Sequence, residues 1–230
     1  MDIGNNYNHS INIYKDVSLM IRVAIVDDHE IVRDGIRKIL ESQSDIVVVG
    51  MGGGGREAIE LLNKETIDVM LLDLDMPDMD GLEVTKFAAH SCPQTKILIL
   101  TMHDDEEYAL RIMKAGAAGY ALKASSAAEL PNIVRNIAAG KIYTHPSIAE
   151  KVASRMYKNN SNKALSYLSD REFQIIKRLA EGHEQKEIAD QLCISVSTVA
   201  THKKRLMEKL KLKNNSEIVQ FALKNGLINS

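Results

Sequence analysis

Four short apolar runs in the N-terminal part of this chain stop on a polar side chain, and that repetition constrains the fold more than any other feature. IRVAIVDD (21–28) ends on two carboxylates, Asp27 and Asp28, and DVMLLD (68–73) ends on Asp73. KILILT (96–101) ends on the Thr101 hydroxyl, and AGYALK (118–123) on the Lys123 ammonium. Apolar runs of this length are the pattern of strands buried on both faces. IVVVG (46–50) is a fifth strand. Between the runs lie segments with helical spacing: 30–42, which carries apolar Ile31, Val32, Ile36, Ile39 and Leu40 at amphipathic spacing, then 56–65, 81–90 and 104–116. A last helix, opened by a Ser126–Glu129 capping box, reaches about 139, and Pro131 at about its fifth position predicts a distorted first turn. Five strands alternating with five helices, with connections long enough for crossovers, give an α/β fold. The expected architecture is a doubly wound five-stranded parallel sheet whose strand ends share one edge, the edge where such sheets bind ligands.

The chemistry at that edge follows from the residue types. Carboxylates held close together repel and stay ionised when a cation sits among them. Oxygen ligands with room for water suit Mg²⁺ or Mn²⁺. A cation so held can clamp a phosphoryl oxygen, Thr101 and Lys123 can bind the others, and the remaining carboxylate can act as nucleophile to give an acyl phosphate. Gly52 to Gly55 carry neither the ending of a phosphate-cradling loop nor the spacing of a dinucleotide turn, so they read as a flexible loop.

Charge divides the chain in two. Residues 21–143 hold 13 Lys/Arg and 20 Asp/Glu, whereas residues 163–230 hold 12 and 8, although the whole carries a formal charge of only −2. An acidic half and a basic half predict different partners, a cation for the first and a polyanion for the second. No apolar stretch is long enough to span a bilayer and no signal-peptide pattern is present, so a cytoplasmic protein without membrane contact is expected. Cys92 and Cys193 lack partners at metal or redox spacing and read as small buried hydrophobes in a reducing compartment. Residues 1–19 are polar, Asn-rich and aperiodic, an expected disordered extension, and Met20 directly precedes the first strand.

VDDH (26–29), DLDMP (73–77), LTMH (100–103) and GYALK (119–123) occur in the order and spacing of a receiver domain, so residues 20–141 resemble the two-component response regulators of the NarL/FixJ family. The resemblance implies a CheY-like fold with Asp73 as phosphoacceptor and a sensor histidine kinase as donor. It implies Mg²⁺ held by Asp28, Asp73 and the backbone carbonyl of Asp75, with Asp27 acting partly through water. It makes Thr101 the phosphate-sensing hydroxyl, Lys123 the phosphate-binding cation and Tyr120 the aromatic switch. Two positions depart from the wider pattern: Ala124 stands where many receivers have proline, and Asp75 adds negative charge near the phosphoryl site. Asp75 is expected either to alter the lifetime of the phosphate or to lie solvated and silent.

THPSIAEKVASRMY (144–157) gives a short helix with Ile148, Val152 and Met156 on one face, and the polar, aperiodic 158–167 is a linker, so 142–166 joins two domains. From 167 to 230 four helices are expected. The first opens with a Ser169–Glu172 capping box and stops at Gly182; a short helix spans 187–192; a third, capped by Ser195, runs to about Lys211; a fourth runs from about Glu217 to Asn225. A short helix, a tight turn and a longer cationic helix make a helix-turn-helix. Residues 203–213 hold six cations and one acid. KEIADQL, ISVSTVATH and NGLI are similar to the LuxR-type output domain, a small all-α domain that binds double-stranded promoter DNA. The resemblance turns Thr201 and Lys204 toward the groove and sets Lys186, Lys203 and Arg205 near phosphates, with Ser197 and Thr198 offering a phosphate site at the helix start. Ala200, Glu184 and Asn215 depart from that pattern by removing a lysine, a hydroxyl cap and an arginine, which predicts DNA binding that leans on dimerisation.

The whole reads as a phosphorylation-regulated transcription regulator that dimerises on activation. Asp73-Leu-Asp75 also matches the Asp-x-Asp of haloacid-dehalogenase-like phosphatases, an enzymatic alternative, but there the motif stands on the first strand with its acidic partners later. A small-molecule-sensing LuxR regulator fits less well, because the N-terminal half has no Trp and carries the acidic site.

Overall fold

A computed structural model describes residues 20–124, 127–157 and 163–228. The expected disorder of residues 1–19, the Ser126 cap and linker residues 158–162 lie outside the described residues. The strands are β1 (Ile21–Val26), β2 (Ile46–Gly52), β3 (Val69–Asp73), β4 (Lys96–Thr101), β5 (Gly119–Leu122) and β6 (Tyr143–Thr144). They form one parallel sheet in the order β2-β1-β3-β4-β5-β6. β6 goes beyond the five strands expected; two residues carry no periodicity to read, and they add to the edge of β5 through the Gly119–Tyr143 and Tyr120–Thr144 pairs.

Side chains alternate across the sheet as the strand period requires. Ala24, Val26, Met70, Leu72, Ile97 and Ile99 face α2 (Gly55–Lys64), α3 (Gly81–Ser91) and α4 (Glu106–Lys114). Val23, Ile25, Val69, Leu71, Leu98 and Leu100 face α1 (Glu30–Glu41) and α5 (Leu130–Ala138). Each fully buried aliphatic side chain contributes about 1.5–3 kcal/mol relative to exposure, and β3, buried along its whole length, is the centre of both layers.

Register then fixes the functional edge. Val26 pairs with Leu72, Asp73 with Leu100 and Thr101 with Leu122, so the strands bring Asp27, Asp73, Thr101 and Lys123 to adjacent ends. The edge opens where the strand order reverses, with β1 standing between β2 and β3.

Two local expectations need correction. Gly52 to Gly55 is a close-packed corner instead of a flexible loop. A Cβ on Gly54 would come within 2.6 Å of Asp78 Oδ1, and one on Gly55 within 2.5 Å of the Met79 carbonyl oxygen. The Asp78 carboxylate accepts hydrogen bonds from the N–H groups of Gly55 at 2.8 Å, Arg56 at 2.9 Å and Met79 at 2.8 Å, satisfying the start of α2. Pro131 sits in the first turn of α5, where its missing donor costs little, and the expected distortion takes the form of a 3₁₀ turn at Ala127–Glu129 just before it.

Beyond β6 come α6 (Pro146–Tyr157), the single turn α7 (Lys163–Ser166), α8 (Asp170–Ala180), α9 (Gln185–Gln191), α10 (Val196–Leu210) and α11 (Asn215–Lys224). The turn at α7 falls within the stretch read as aperiodic linker. α8 has its capping box, the Ser169 N–H donating to Glu172 Oε2 at 2.8 Å, and α10 is capped by Ser195 Oγ, which accepts from the Thr198 N–H at 3.1 Å. Phe173, Ile176, Ile188, Val199, Leu206, Ile218 and Ala222 close a small helical core.

Candidate functional site

At the sheet edge Asp27 and Asp73 are 1% and 4% exposed, so their charges must be met within the protein. Lys123 Nζ lies 2.7 Å from an oxygen of each. Asp73 Oδ1 also accepts from the Leu74 N–H at 2.7 Å, and Asp27 Oδ1 from the His29 N–H at 2.9 Å. Burial pushes the Asp73 carboxyl up to about 6, against the pull of Lys123 and with the added repulsion of Asp27 and Asp75. Burial acts to lower the Lys123 pKa, but its hydrogen bonds to Asp27 and Asp73 outweigh that and hold it above the usual lysine range.

The pocket fits a hard divalent cation. Asp27, Asp28, Asp73 and His29 each offer a ligand atom, all within 4.8 Å of one another. Asp27 Oδ2 is buried in the site, with the ammonium of Lys123 2.7 Å away. His29 was not anticipated here; its Nδ1 lies 2.6 Å from Asp28 Oδ1 and 3.3 Å from Asp27 Oδ1.

Thr101 is fully buried, and its Oγ1 accepts from the His103 N–H at 3.1 Å. Tyr120 is buried too, and its hydroxyl donates to the His103 carbonyl oxygen at 2.8 Å; burial pushes its phenol well above the usual range. Asp75, its side chain 45% exposed, meets His103 Nε2 at 2.5 Å and an Arg178 Nη at 3.3 Å. Burial alone would raise its pKa, but the His103 hydrogen bond and the charges of His103, Arg178 and Lys177 hold it below the usual carboxylate range. Ala124 follows Lys123 through an ordinary trans peptide, since the described residues contain no cis bond.

The second surface is the outer face of α10. Ser197, Ala200, Thr201, Lys204 and Arg205 are exposed, Thr198 and Lys203 partly so, and Lys186 on α9 is exposed beside them. Thr201 Oγ1 donates back to the Ser197 carbonyl at 2.9 Å, and Ser195 Oγ lies 2.7 Å from the hydroxyls of both Ser197 and Thr198. A groove of about 630 Å³ runs along Gln185, Ala200, Lys203, Lys204 and Lys211.

Reading the sequence missed the contact between the two halves. α8 lies against α3, α4 and the loops following β3 and β4, and Glu172, Gln174 and Lys177 are buried on it alongside Phe173, Ile175 and Ile176. Gln174 Nε2 donates to Asp80 Oδ2, and Arg171 lies 3.7 Å from the same carboxylate. Asp170 meets Arg111 at 2.8 Å and Lys86 at 2.5 Å, while Arg111 also donates to the carbonyls of Leu165 and Leu168 and stands 4.4 Å over the Phe173 ring. The one signal available was a helix whose polar residues fall among apolar neighbours, the mark of an element covered on more than one face.

A doubly wound sheet with an acid, hydroxyl and amine edge, joined to a four-helix unit with a cationic third helix, defines a receiver coupled to a helix-turn-helix. The comparisons agree: residues 23–135 match the response regulator receiver domain and residues 166–222 the bacterial regulatory proteins of the luxR family. The chain is 39% identical to the oxygen regulatory protein NreC of Staphylococcus carnosus, over 90% of this chain and 99% of that one. It is 36% identical to the response regulator UvrY of Escherichia coli K12, over 92% and 97%. It resembles the solved RcsB response regulator of Salmonella typhimurium at a TM-score of 0.68 and 28% identity, covering 88% of this chain and 96% of that one. A further RcsB structure, bound to promoter P1flhDC in the presence of phosphomimetic BeF3⁻, matches at a TM-score of 0.64 and 28% identity, covering 89% and 98%.

The chain therefore belongs to the two-component response regulators of the NarL/FixJ family, with a LuxR-type DNA-binding domain. Membership in a family of regulators that are not enzymes disposes of the phosphatase reading of Asp73 and Asp75. Among the described residues no helix is long and apolar enough to cross a membrane.

Proposed function

We propose that this protein accepts a phosphoryl group on Asp73 from a sensor histidine kinase, dimerises, and binds promoter DNA in the cytoplasm. The supporting observation is the placement of one ammonium, Lys123, at 2.7 Å from both Asp27 and Asp73 at the mouth of a buried carboxylate pair. An Asp73 oxygen attacks phosphorus, the bond to the donor imidazole breaks, and an acyl phosphate forms. Mg²⁺ held by Asp28 and Asp73, with Asp27 and the Asp75 carbonyl beside them, would supply positive charge for the transferred oxygens. Lys123 shifts to one of those oxygens, and Thr101 turns its hydroxyl to another. Giving up the His103 N–H then loosens the β4–α4 loop, and Tyr120 follows as the switch.

The division of labour is a receiver over 20–141, a linker over 142–166 and a DNA-binding domain over 167–230. In the last domain Thr201 and Lys204 read the groove, while Lys186, Ser197, Thr198, Lys203 and Arg205 meet phosphates. Incubation with acetyl phosphate and Mg²⁺, followed by intact mass and size measurement, tests the proposal. The wild type should gain one phosphoryl group and move to the dimer, and Asp73→Ala should do neither; labelling of Asp73→Ala to the same extent would refute it.

A further inference from the structure

The helix α2 is capped from a distance. Three other helices open on a local side chain: Asp80 accepts from the Glu83 N–H at 2.9 Å, Asp105 from the Glu107 N–H at 2.8 Å and Ser195 from the Thr198 N–H at 3.1 Å. At the start of α2 that position is Gly54, which has no side chain to offer. The donors go instead to Asp78 on the segment that follows β3, whose Oδ1 accepts from the Gly55 N–H at 2.8 Å and whose Oδ2 accepts from the Arg56 N–H at 2.9 Å. Gly54 is extended, with φ −164°, a conformation open to any residue, so only space demands a glycine there: a Cβ would stand 2.6 Å from Asp78 Oδ1. A serine or aspartate at 54 would cap the helix locally. The glycine forgoes that cap and admits a carboxylate from another loop.

The two loops so joined lead to the acidic pocket. On one side Asp78 ends the run from Asp73 through Asp75, and its Oδ1 also accepts from the Met79 N–H at 2.8 Å, fixing the entry to α3. On the other side the glycine corner holds the end of β1, because the Asp27 N–H donates to the Gly52 carbonyl at 3.1 Å. The Gly53 N–H is tied in turn to Glu57 Oε2 at 3.2 Å. Burial acts to raise the Asp78 pKa, but the N–H groups of Arg56, Gly55 and Met79 outweigh it and hold the carboxyl below the usual range.

Carboxylates that share a cation repel one another, and before the ion arrives only the scaffold keeps them at ligating distance. Asp27, Asp28 and Asp73 each place a ligand atom within 4.8 Å of the others, yet the pairing of β1 with β3 ends at Val26 and Leu72, just short of all three. We infer that Asp78 is a positioning residue for the cation: by clasping the glycine corner it sets the distance between the Asp27–Asp28 segment and the Asp73–Asp75 segment, and so prepares the pocket for Mg²⁺. The inference rests on that pocket being the Mg²⁺ site for phosphoryl transfer to Asp73.

The test uses the full chain, with calorimetric titration of Mg²⁺ alone and, separately, the Mg²⁺ dependence of phosphoryl uptake from acetyl phosphate. Asp78→Ala should weaken Mg²⁺ binding by about tenfold, the lower end of the usual loss when a group that orients a metal's ligands is removed. The Mg²⁺ concentration that half-saturates uptake should rise in proportion, while the rate at saturating Mg²⁺ is retained. Asp78→Asn keeps an oxygen for Gly55 and Met79 and should fall between. Gly54→Ala displaces the carboxylate without removing it and should weaken binding as much as Asp78→Ala, and the double variant should be no weaker than the worse single. Should Asp78→Ala fail to fold, Asp78→Asn and Gly54→Ala carry the same test. Folded variants that bind Mg²⁺ as the wild type does would overturn the inference, and so would losses that multiply in the double variant, since Gly54 and Asp78 would then act separately. A wild type that binds Mg²⁺ but takes up no phosphoryl group would sink the proposed function and leave the clasp to be decided by the titrations; one that binds no Mg²⁺ would take down both.

Discussion

The acidic pocket gathers its side chains from four strands and buries them, whereas the basic face of α10 takes its groups from one helix and leaves them in solvent. In the pocket each ionisable group is another's partner: Lys123 serves Asp27 and Asp73 together, so no member can change without altering the others. On the outer face of α10 Lys204 and Arg205 stand exposed, whereas Lys209 on the same helix pairs with Glu172 at 2.6 Å. Interdependence with low dielectric makes for large, non-additive effects; independence in solvent makes for small, additive, salt-screened ones.

That contrast can be broken at its strong end first. Lys123→Ala should slow phosphoryl uptake from acetyl phosphate by about 10²- to 10³-fold, the usual loss when one preorganised cation or donor is taken from a transition state; a loss under tenfold would mean the pocket does not depend on its shared ammonium. Asp73→Asn probes the stored repulsion. Because burial raises the folded pKa of Asp73 to about 6, above the ordinary 3.8, keeping it ionised costs folding energy at higher pH. That cost is absent below about pH 3.8 and complete above about pH 6. In metal-free buffer at pH 8, Asp73→Asn should therefore stabilise the protein by up to about 3 kcal/mol in thermal unfolding, with the gain fading as the pH falls toward 4. A gain that persists undiminished at pH 4 would contradict it. The smallest effect belongs to the helix: Ala200→Lys should tighten DNA binding and steepen the logarithmic salt slope by about 0.9, the release expected for one added phosphate contact. A slope that stays the same would show that position 200 does not approach the DNA backbone.

The same contrast explains what the sequence disclosed. Strand ends are legible because an apolar run stopping on Asp, Thr or Lys is a local pattern, and parallel pairing brings those ends together without further information. The helix starts at Ser169 and Ser195 are legible for the same reason, each cap lying within three residues of its partner. The two-residue β6 has no pattern, and the glycine corner owes its rigidity to Asp78, more than twenty residues away. His103 is legible only as the last residue of LTMH, since its contact with Lys177 spans 74 residues. Asp75 was legible as an anomaly, but its partner on α8 was not, because pairing between two folded halves leaves no trace in either half's own periodicity.

Arg111 carries a last implication. This one α4 side chain caps the carbonyls of Leu165 and Leu168, pairs with Asp170 and covers Phe173, so the receiver recognises the exit of the tether and the first turn of its cargo together. Modules of this kind are not freely interchangeable: behind a receiver with alanine at the equivalent of Arg111, this output domain would lose the one side chain that holds the end of its tether and the first turn of α8 together.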